Sequence, residues 1–367
     1  GYQGRDKETL RSLEQIRSVS LILISPPFAP SEAVRRWRAH AELNEWAQKP
    51  GNWRLMAKQG YCGDIALARA RAEGIQWMMH IDVDELLLPA VSLAADLALV
   101  PAWAAAVKMH NHEALIESFE VNNKYEEVTL FKVHDATLPS KASDLQWRFR
   151  LGTYPAYYQV YHNGKSIVRT DRGYVHMWGP HEFLGPRNAT WADPEHNPAG
   201  DFKSVTSQTT LLHVSYASWR DLMSKARTSC PSRFRDYARQ GNRTKVKDCF
   251  CLDYDMDAYM AAVAGEDAAR DYWTITSLFS EGAVRKDNET CKVYRDVSRL
   301  KELLIRDGLL LRVTGPQQVL RAHEVAIRGA ARSMGSIRVG AVDIAAGSGS
   351  GAERNQPQGA TKTVRRR

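Results

Sequence analysis

Apolar and polar positions along this chain follow two rhythms that keep trading places. In residues 7–17, Leu10, Leu13 and Ile16 recur at helical spacing, and residues 19–24 (VSLILI) then form an unbroken apolar run that predicts a buried strand. Pro26 and Pro27 end that run. Ser31 with Glu32 starts a second predicted helix, which reaches about Lys49 before Pro50 and Gly51. A third is predicted over residues 64–73, with Gly74 as its C-cap. Residues 77–81 (WMMHI) follow as a strand that stops at Asp82, Asp84 and Glu85. Helix, strand, helix, strand predicts an α/β fold built on a largely parallel sheet. Such folds generally open with a strand, so the pattern places a first strand upstream of Gly1.

After Pro101 strands dominate the pattern. Residues 114–121 (ALIESFEV), 128–133 (VTLFKV) and 209–214 (TTLLHV) read as strands. Residues 157–161 and 166–170 flank Asn163-Gly164, a dipeptide that predicts a hairpin with positive φ at both central positions. Helices are predicted over residues 218–227, 258–269 and 297–306, the last with Leu300, Leu303 and Leu304 on one face. From about Gly335 the composition turns to Gly, Ser, Ala, Gln and Arg, which predicts a disordered basic tail. The division that follows is residues 1–230 as the α/β domain, 231–334 as a mainly helical extension and 335–367 as the tail.

The 44% hydrophobic and 25% charged residues are ordinary for a globular protein. A net charge of +8 favours anionic partners, but part of it sits in the tail that ends Arg365-Arg366-Arg367, so charge alone selects no function. The five cysteines make no C-x-x-C pair, which argues against structural zinc. Cys230, Cys249, Cys251 and Cys291 lie close enough in sequence for one or two bridges in an oxidising lumen, and sequons at Asn188, Asn242 and Asn288 point the same way. Residues 86–107 are mostly apolar, but Pro89, Asp96 and Pro101 interrupt them, which predicts a packed helix and loop rather than a membrane span.

The acidic strand end carries the chemistry. On an extended chain Asp82 and Asp84 share a face and Glu85 takes the other, so two carboxylates would line one strand edge as hard ligands for Mg²⁺ or Mn²⁺. Strand ends of this kind are where open α/β sheets hold their ligands. His213, at the end of an apolar strand, is a candidate to complete the metal site, and His181 is a candidate phosphate contact. Lys165 and Arg169 could hold phosphates, and Trp178, Tyr174 and Phe183 could stack on a sugar or simply pack.

Together these residues resemble the D-x-D region of GT-A-fold glycosyltransferases. Residues 77–86 (WMMHIDVDEL), with the Gly63-Asp64-Ile65-Ala66 helix before them, are closest to the family 92 type and the related family 2-like proteins. Leu86 stands where that family usually has Phe. Asn163-Gly164-Lys165-Ser166 with Arg169, Gly179-Pro180-His181 and Leu212-His213-Val214 follow in matching order, although Val214 departs from the usual Tyr. The resemblance implies a Rossmann-like, mostly parallel sheet with helices on both faces. It also implies a nucleotide-diphosphate sugar donor, a glycan or glycoconjugate acceptor, Mn²⁺ or Mg²⁺, and a Golgi or secretory-pathway lumen reached through a membrane anchor outside this chain. It places Asp82, Asp84 and His213 at the metal and Asp82 at the donor. Glu182 is the candidate catalytic base for an inverting reaction.

Two other functions fit part of the pattern. A haloacid-dehalogenase-like phosphatase also carries D-x-D after an apolar strand, but it prefers Thr or Val where this chain has Leu86, and its second acidic pair could only be drawn from residues 253–257 (DYDMD). An inactive transferase fold serving as a carbohydrate-binding or interaction module is the non-enzymatic reading, against which the intact Asp82-Val83-Asp84 speaks. Nucleic-acid binding would rest on the basic tail alone.

Overall fold

The first described element is a helix, α1 (Asn52–Ala72), which begins earlier than its apolar spacing indicated. A computed structural model of the chain describes residues 52–138 and 203–318, with short gaps in the latter, and parts of 158–184. The predicted strand at residues 19–24, the two helices around it and the C-terminal tail lie outside the described residues. All described residues belong to one unit, Ala29–Ala322.

Two sheets carry the architecture, and three strands pass from one to the other. The first sheet holds β1 (Trp77–Met79), β3 (Ala106–Met109), β6 (Lys165–Arg169) and β9 (Ser204–Thr206) in the order β1-β6-β3-β9. The second holds β2 (Glu85–Leu88), β4 (Asn111–Ala114), β5 (Leu130–Lys132), β10 (Thr210–His213) and β13 (Leu310–Arg312) in the order β13-β5-β4-β10-β2. Between the sheets the chain runs β1 to β2 through the acidic residues, β3 to β4 through His110 alone, and β9 to β10 through Ser207, Gln208 and Thr209. Backbone hydrogen bonds continue across these passages, from Ser207 N to Lys108 O at 2.8 Å and from Leu211 N to His110 O at 2.9 Å.

The sheets are mixed rather than mostly parallel, which corrects the expected topology. Among the described strands β3 with β9 and β4 with β10 pair in parallel, while the other ladders, including β7 (His176–Met177) with β8 (Phe183–Leu184) and β11 (Val284–Lys286) with β12 (Cys291–Val293), are antiparallel. The Asn163-Gly164 hairpin is also revised. Gly164 alone has positive φ, +66°, and β6 pairs with β1 and β3. A Cβ at Gly164 would lie 1.9 Å from the Met109 carbonyl oxygen, so close backbone approach, not a two-residue turn, explains this glycine.

Alternation along the second sheet buries both of its faces. Leu115, Leu130 and Leu310 pack on one side with Leu304 of α9 (Val297–Arg306). Ile116, Phe131 and Leu212 pack on the other with Trp219 and Leu222 of α4 (Trp219–Ser229), Tyr254 of α7 (Asp253–Ala264) and Trp273 of α8 (Glu266–Thr276). Residues on both sides of position 230 therefore share one core, and β13 completes the sheet from within the stretch expected to be mainly helical. Gly265, at φ +140°, divides α7 from α8 where the apolar spacing suggested one helix. Ser218 caps α4 by accepting from Asp221 N, and Asp221 returns the bond to Ala217 N.

α1 lies on the first sheet, its Leu67 buried among Ala105, Ala106, Val168, Met177 and Phe183. The fit is close: a Cβ at Gly63 would strike the Met177 sulfur at 1.9 Å. Short helices α5 (Arg233–Arg239) and α6 (Arg243–Lys247) form a satellite around Phe234, Val246 and Phe250, bridged by a Cys230–Cys249 disulfide with Cα atoms 6.1 Å apart. The short helix α2 (Leu93–Ala98) follows β2, and no described helix is long and apolar enough to cross a membrane.

Candidate functional site

The acidic residues form a turn, not the extended strand end the sequence suggested. Glu85 N donates to Asp82 O at 3.1 Å, and the Glu85 carboxylate reaches back to accept from Asp82 N at 3.0 Å. This second bond brings Glu85 to the Asp82 side of the chain, opposite to the simple alternation of strand residues. Val83 is left at the tip, 91% exposed.

Each end of the turn meets a different partner. β6 runs antiparallel to β1, so its first residue, Lys165, lies where β1 gives way to the turn. Lys165 Nζ is 2.5 Å from Asp82 Oδ2 and 3.4 Å from Glu85 Oε2, and its side chain is fully buried. Gln59 of α1 and His80 approach Asp82 Oδ1 at 3.5 Å and 4.0 Å. At the other end, the register pairs His213 with Glu85, and the ladder continues as Val214 N donates to Asp84 O at 2.8 Å. That register sets His213 Nε2 4.0 Å from Asp84 Oδ2.

Charge and burial divide the titrating groups. Burial alone would raise the Asp82 carboxyl, but the Lys165 charge and hydrogen bond, with His80 and His181, bring it below its ordinary value. Burial dominates at Glu85 and pushes it up to about 7, Lys165 offsetting only part, while Asp82 and Asp84 add to the rise. His181 falls to about 4 through burial and then the Lys165 charge. Its ring is therefore neutral at pH 7, with Nδ1 donating to Gly164 O at 2.9 Å.

Lys165 is held in place from beneath. Gly164 N donates to Asn111 Oδ1 at 3.1 Å, and Tyr158 donates to the carbonyls of Asn111 and Lys132. Val160 N donates to Glu113 Oε1 at 2.7 Å, and Glu113 itself pairs with buried Lys132. The segment before β6 is thus fastened to β4 and β5, and Lys165 enters the site from a fixed base.

The structure brings Asp82, Asp84, Glu85, Lys165, His181 and His213 together. Arg169 sits at the far end of β6, where it donates to the carbonyls of Ala104 and Val100 and stacks on Trp77 at 4.3 Å. Glu182 is half-buried, its carboxyl raised by burial and partly restored by Lys108. Phe183 is buried in the core beside α1, while Trp178 and Tyr174 lie outside the described residues. In the DYDMD stretch, Asp253 pairs with Lys247, Asp255 accepts from Tyr216 and Asp257 pairs with Arg243. Those acids are committed to the helical region.

The Asp84–His213 pair suits a divalent ion. Two ligands each about 2.1 Å from one metal lie about 3 to 4 Å apart, and these two atoms are at the upper end of that range. Among the described residues no group of three His, Cys, Asp or Glu side chains is disposed to hold a metal unaided. Two protein ligands completed by substrate oxygens and water is the usual pattern for Mg²⁺ at phosphates.

Four neighbours were not singled out from sequence. Gln59 and His80 flank Asp82, Lys124 of α3 (Lys124–Glu127) donates to Val214 O at 3.2 Å, and the Tyr125 hydroxyl is raised by burial and then by the Asp84 charge. Asn123 followed by Glu127 is a readable capping signal for α3, but nothing local tells which strand end that helix will border.

No protein-family model matches the chain, and no solved structure does so either. It is similar to two proteins of Arabidopsis thaliana, both named glycosyltransferase-like. One is 27% identical over 85% of this chain and 62% of its own length. The other is 25% identical over 85% of this chain and 54% of its own length. The chain therefore spans between half and two thirds of these relatives.

Proposed function

We propose that the chain is a glycosyltransferase that binds a nucleotide-diphosphate sugar at the acidic turn, with Mn²⁺ or Mg²⁺ held by Asp84 and His213. The observation that carries this reading is the Asp84–His213 pair, set by strand register where β2 and β10 meet. The names of the two plant relatives support transfer of a sugar. The finer assignment, a GT-A fold of the family 92 or family 2-like type, is supported by the order of motifs from Asp82 to His213.

When bound, the ion would supply positive charge for the leaving nucleoside diphosphate. The chain's own residues do the positioning. Lys165 neutralises Asp82 and shares Glu85, so the turn keeps its form although three acids lie within four positions. His181, neutral and tied to Gly164, adds an imidazole without adding charge. Glu182 is the base in this reading, its raised carboxyl being closer to the range that suits proton transfer at neutral pH. The acceptor is a glycan or glycoconjugate in the Golgi or another part of the secretory pathway, and the Cys230–Cys249 bridge supports an oxidising lumen.

The test is calorimetric titration of the full chain with UDP-sugars and GDP-sugars, with and without Mn²⁺. Binding should depend on the metal and disappear in Asp84→Ala. Binding indifferent to both metal and Asp84 would remove the proposal.

A further inference from the structure

Of the three sequons, Asn188 and Asn288 lie outside the described residues, whereas Asn242-Arg243-Thr244 is placed in full. Its place is the corner between α5 and α6, and the sequence explains that corner. Gly241, at φ +69°, ends α5, with Gly241 N donating to Ala238 O and Asn242 N to Tyr237 O, each at 2.9 Å. This pair of bonds is how a glycine in the left-handed region closes a helix. Asn242 then starts α6, its Oδ1 accepting from Lys245 N at 3.1 Å.

The satellite core sets which way the corner faces. Phe234 and Ala238 of α5 and Val246 of α6 are buried with Met256 and Tyr259 of α7, while every residue from 239 to 245 is exposed. Space around the corner is open: a Cβ placed on Gly241 would meet nothing within 4 Å. Arg243 pairs with Asp257 of α7, which holds the start of α6 in place.

The two ends of the Asn242 amide have different work. Oδ1 holds the cap, and among the described residues no hydrogen bond takes Nδ2. A sugar attached at Nδ2 leaves the carbonyl oxygen in place, so the cap survives the modification. The compartment is argued by a separate observation. The Cys230–Cys249 bridge closes the very loop that contains the sequon, and such bridges belong to the oxidising compartments through which glycosylated proteins pass.

We propose that Asn242 carries an N-linked glycan, standing on the exposed corner of the disulfide-bridged satellite. In the transfer, Nδ2 forms a bond to the anomeric carbon of an oligosaccharide carried on a lipid diphosphate. The bond from that carbon to the diphosphate oxygen breaks, the amide gives up one proton, and the lipid diphosphate leaves. This rests on the lumenal location proposed above and not on the transferase chemistry.

The experiment is peptide mapping of the protein isolated from the cells that make it, after its N-glycans are released by a peptide amidase in heavy-oxygen water. The amidase converts a glycosylated asparagine to aspartate, so the peptide holding position 242 should take up heavy oxygen, and only when the amidase is present. Thr244→Ala should lose the label entirely and Thr244→Ser should keep it, while both variants retain Asn242 and its cap. An unlabelled peptide in protein whose Cys230 and Cys249 are joined overturns the glycan alone. An unlabelled peptide in protein with both thiols free removes the lumenal location and the glycan together.

Discussion

Lys165→Met puts the electrostatics of the acidic turn to a direct test. The ammonium is fully buried, 2.5 Å from Asp82 and 3.4 Å from Glu85. Removing one member of a buried ion pair costs about 3–5 kcal/mol, because the remaining charge is stranded. Two features lower the figure here. Asp82 is one-third exposed, so water screens it, and Glu85, already at about 7, can take up a proton when the cation goes. About 2–4 kcal/mol at pH 8 is the resulting expectation. The sign with pH follows from linkage. Without Lys165 both carboxyls titrate higher in the folded chain than in the unfolded one, so the folded variant binds extra protons. Its stability then falls as pH rises through about 4.5 to 7 and beyond. At pH 5 the deficit should shrink to about 1 kcal/mol. Melting followed by circular dichroism in the presence of a chelator should show Tm lower by about 5–10 °C at pH 8 and by about 2 °C at pH 5. An equal depression at both pH values, or none at pH 8, would refute a lysine buried between two carboxylates.

Three further outcomes follow from the framework around the site. Gly164→Ala forces a Cβ to 1.9 Å from Met109 O at a φ of +66°, and should cost at least about 2–3 kcal/mol or abolish soluble expression, read as Tm or yield. Replacing Cys230 and Cys249 together by Ser opens a loop of sequence separation 19 and should cost about 3 kcal/mol, seen as a lower urea midpoint with a slope that is no smaller and rises if the released unfolded chain expands. His112 is held at about 4 by burial, then by His134 and His110, and its Nδ1 accepts from His134 N. The unfolded chain therefore binds a proton that the folded one refuses, and stability contributed above about 6.5 is lost as pH falls towards 4, by on the order of 3 kcal/mol. His112→Gln should remove about one proton from the slope of stability against pH in that window; an unchanged slope would contradict it.

The parts of this site that could be read from sequence were those with a local cause. An apolar run broken by three acids marks a strand leaving a core, and Asp82, Asp84 and Glu85 do lie where the chain changes sheets. Their disposition was not readable, because it is set by Glu85 bonding back to Asp82 N and by a lysine 83 positions away. Lys165 stood out as a charge beside a glycine, yet its burial depends on Asn111, Glu113 and Tyr158, which reach it only once β4, β5 and β6 assemble. Apolar spacing located α9 over residues 297–306 because Val297 and Leu304 face a core. The same reasoning mistook the sheet direction, since a short apolar strand looks alike whichever way its neighbours run, and β6 enters between β1 and β3 from far along the chain. Lys124 was missed for the same kind of reason, since its bond to Val214 O depends on the strand end that α3 borders and not on α3 itself.

Asp84 and His213 are proposed to hold the divalent ion that goes with the donor. Mn²⁺ binding followed by electron paramagnetic resonance, with UDP or GDP present, tests it without any need for the acceptor. Asp84→Asn and His213→Gln, each confirmed as folded, should weaken Mn²⁺ binding at least about 10-fold, in line with the loss of one ligand. Mn²⁺ bound as tightly by both variants as by the unaltered chain would contradict the claim.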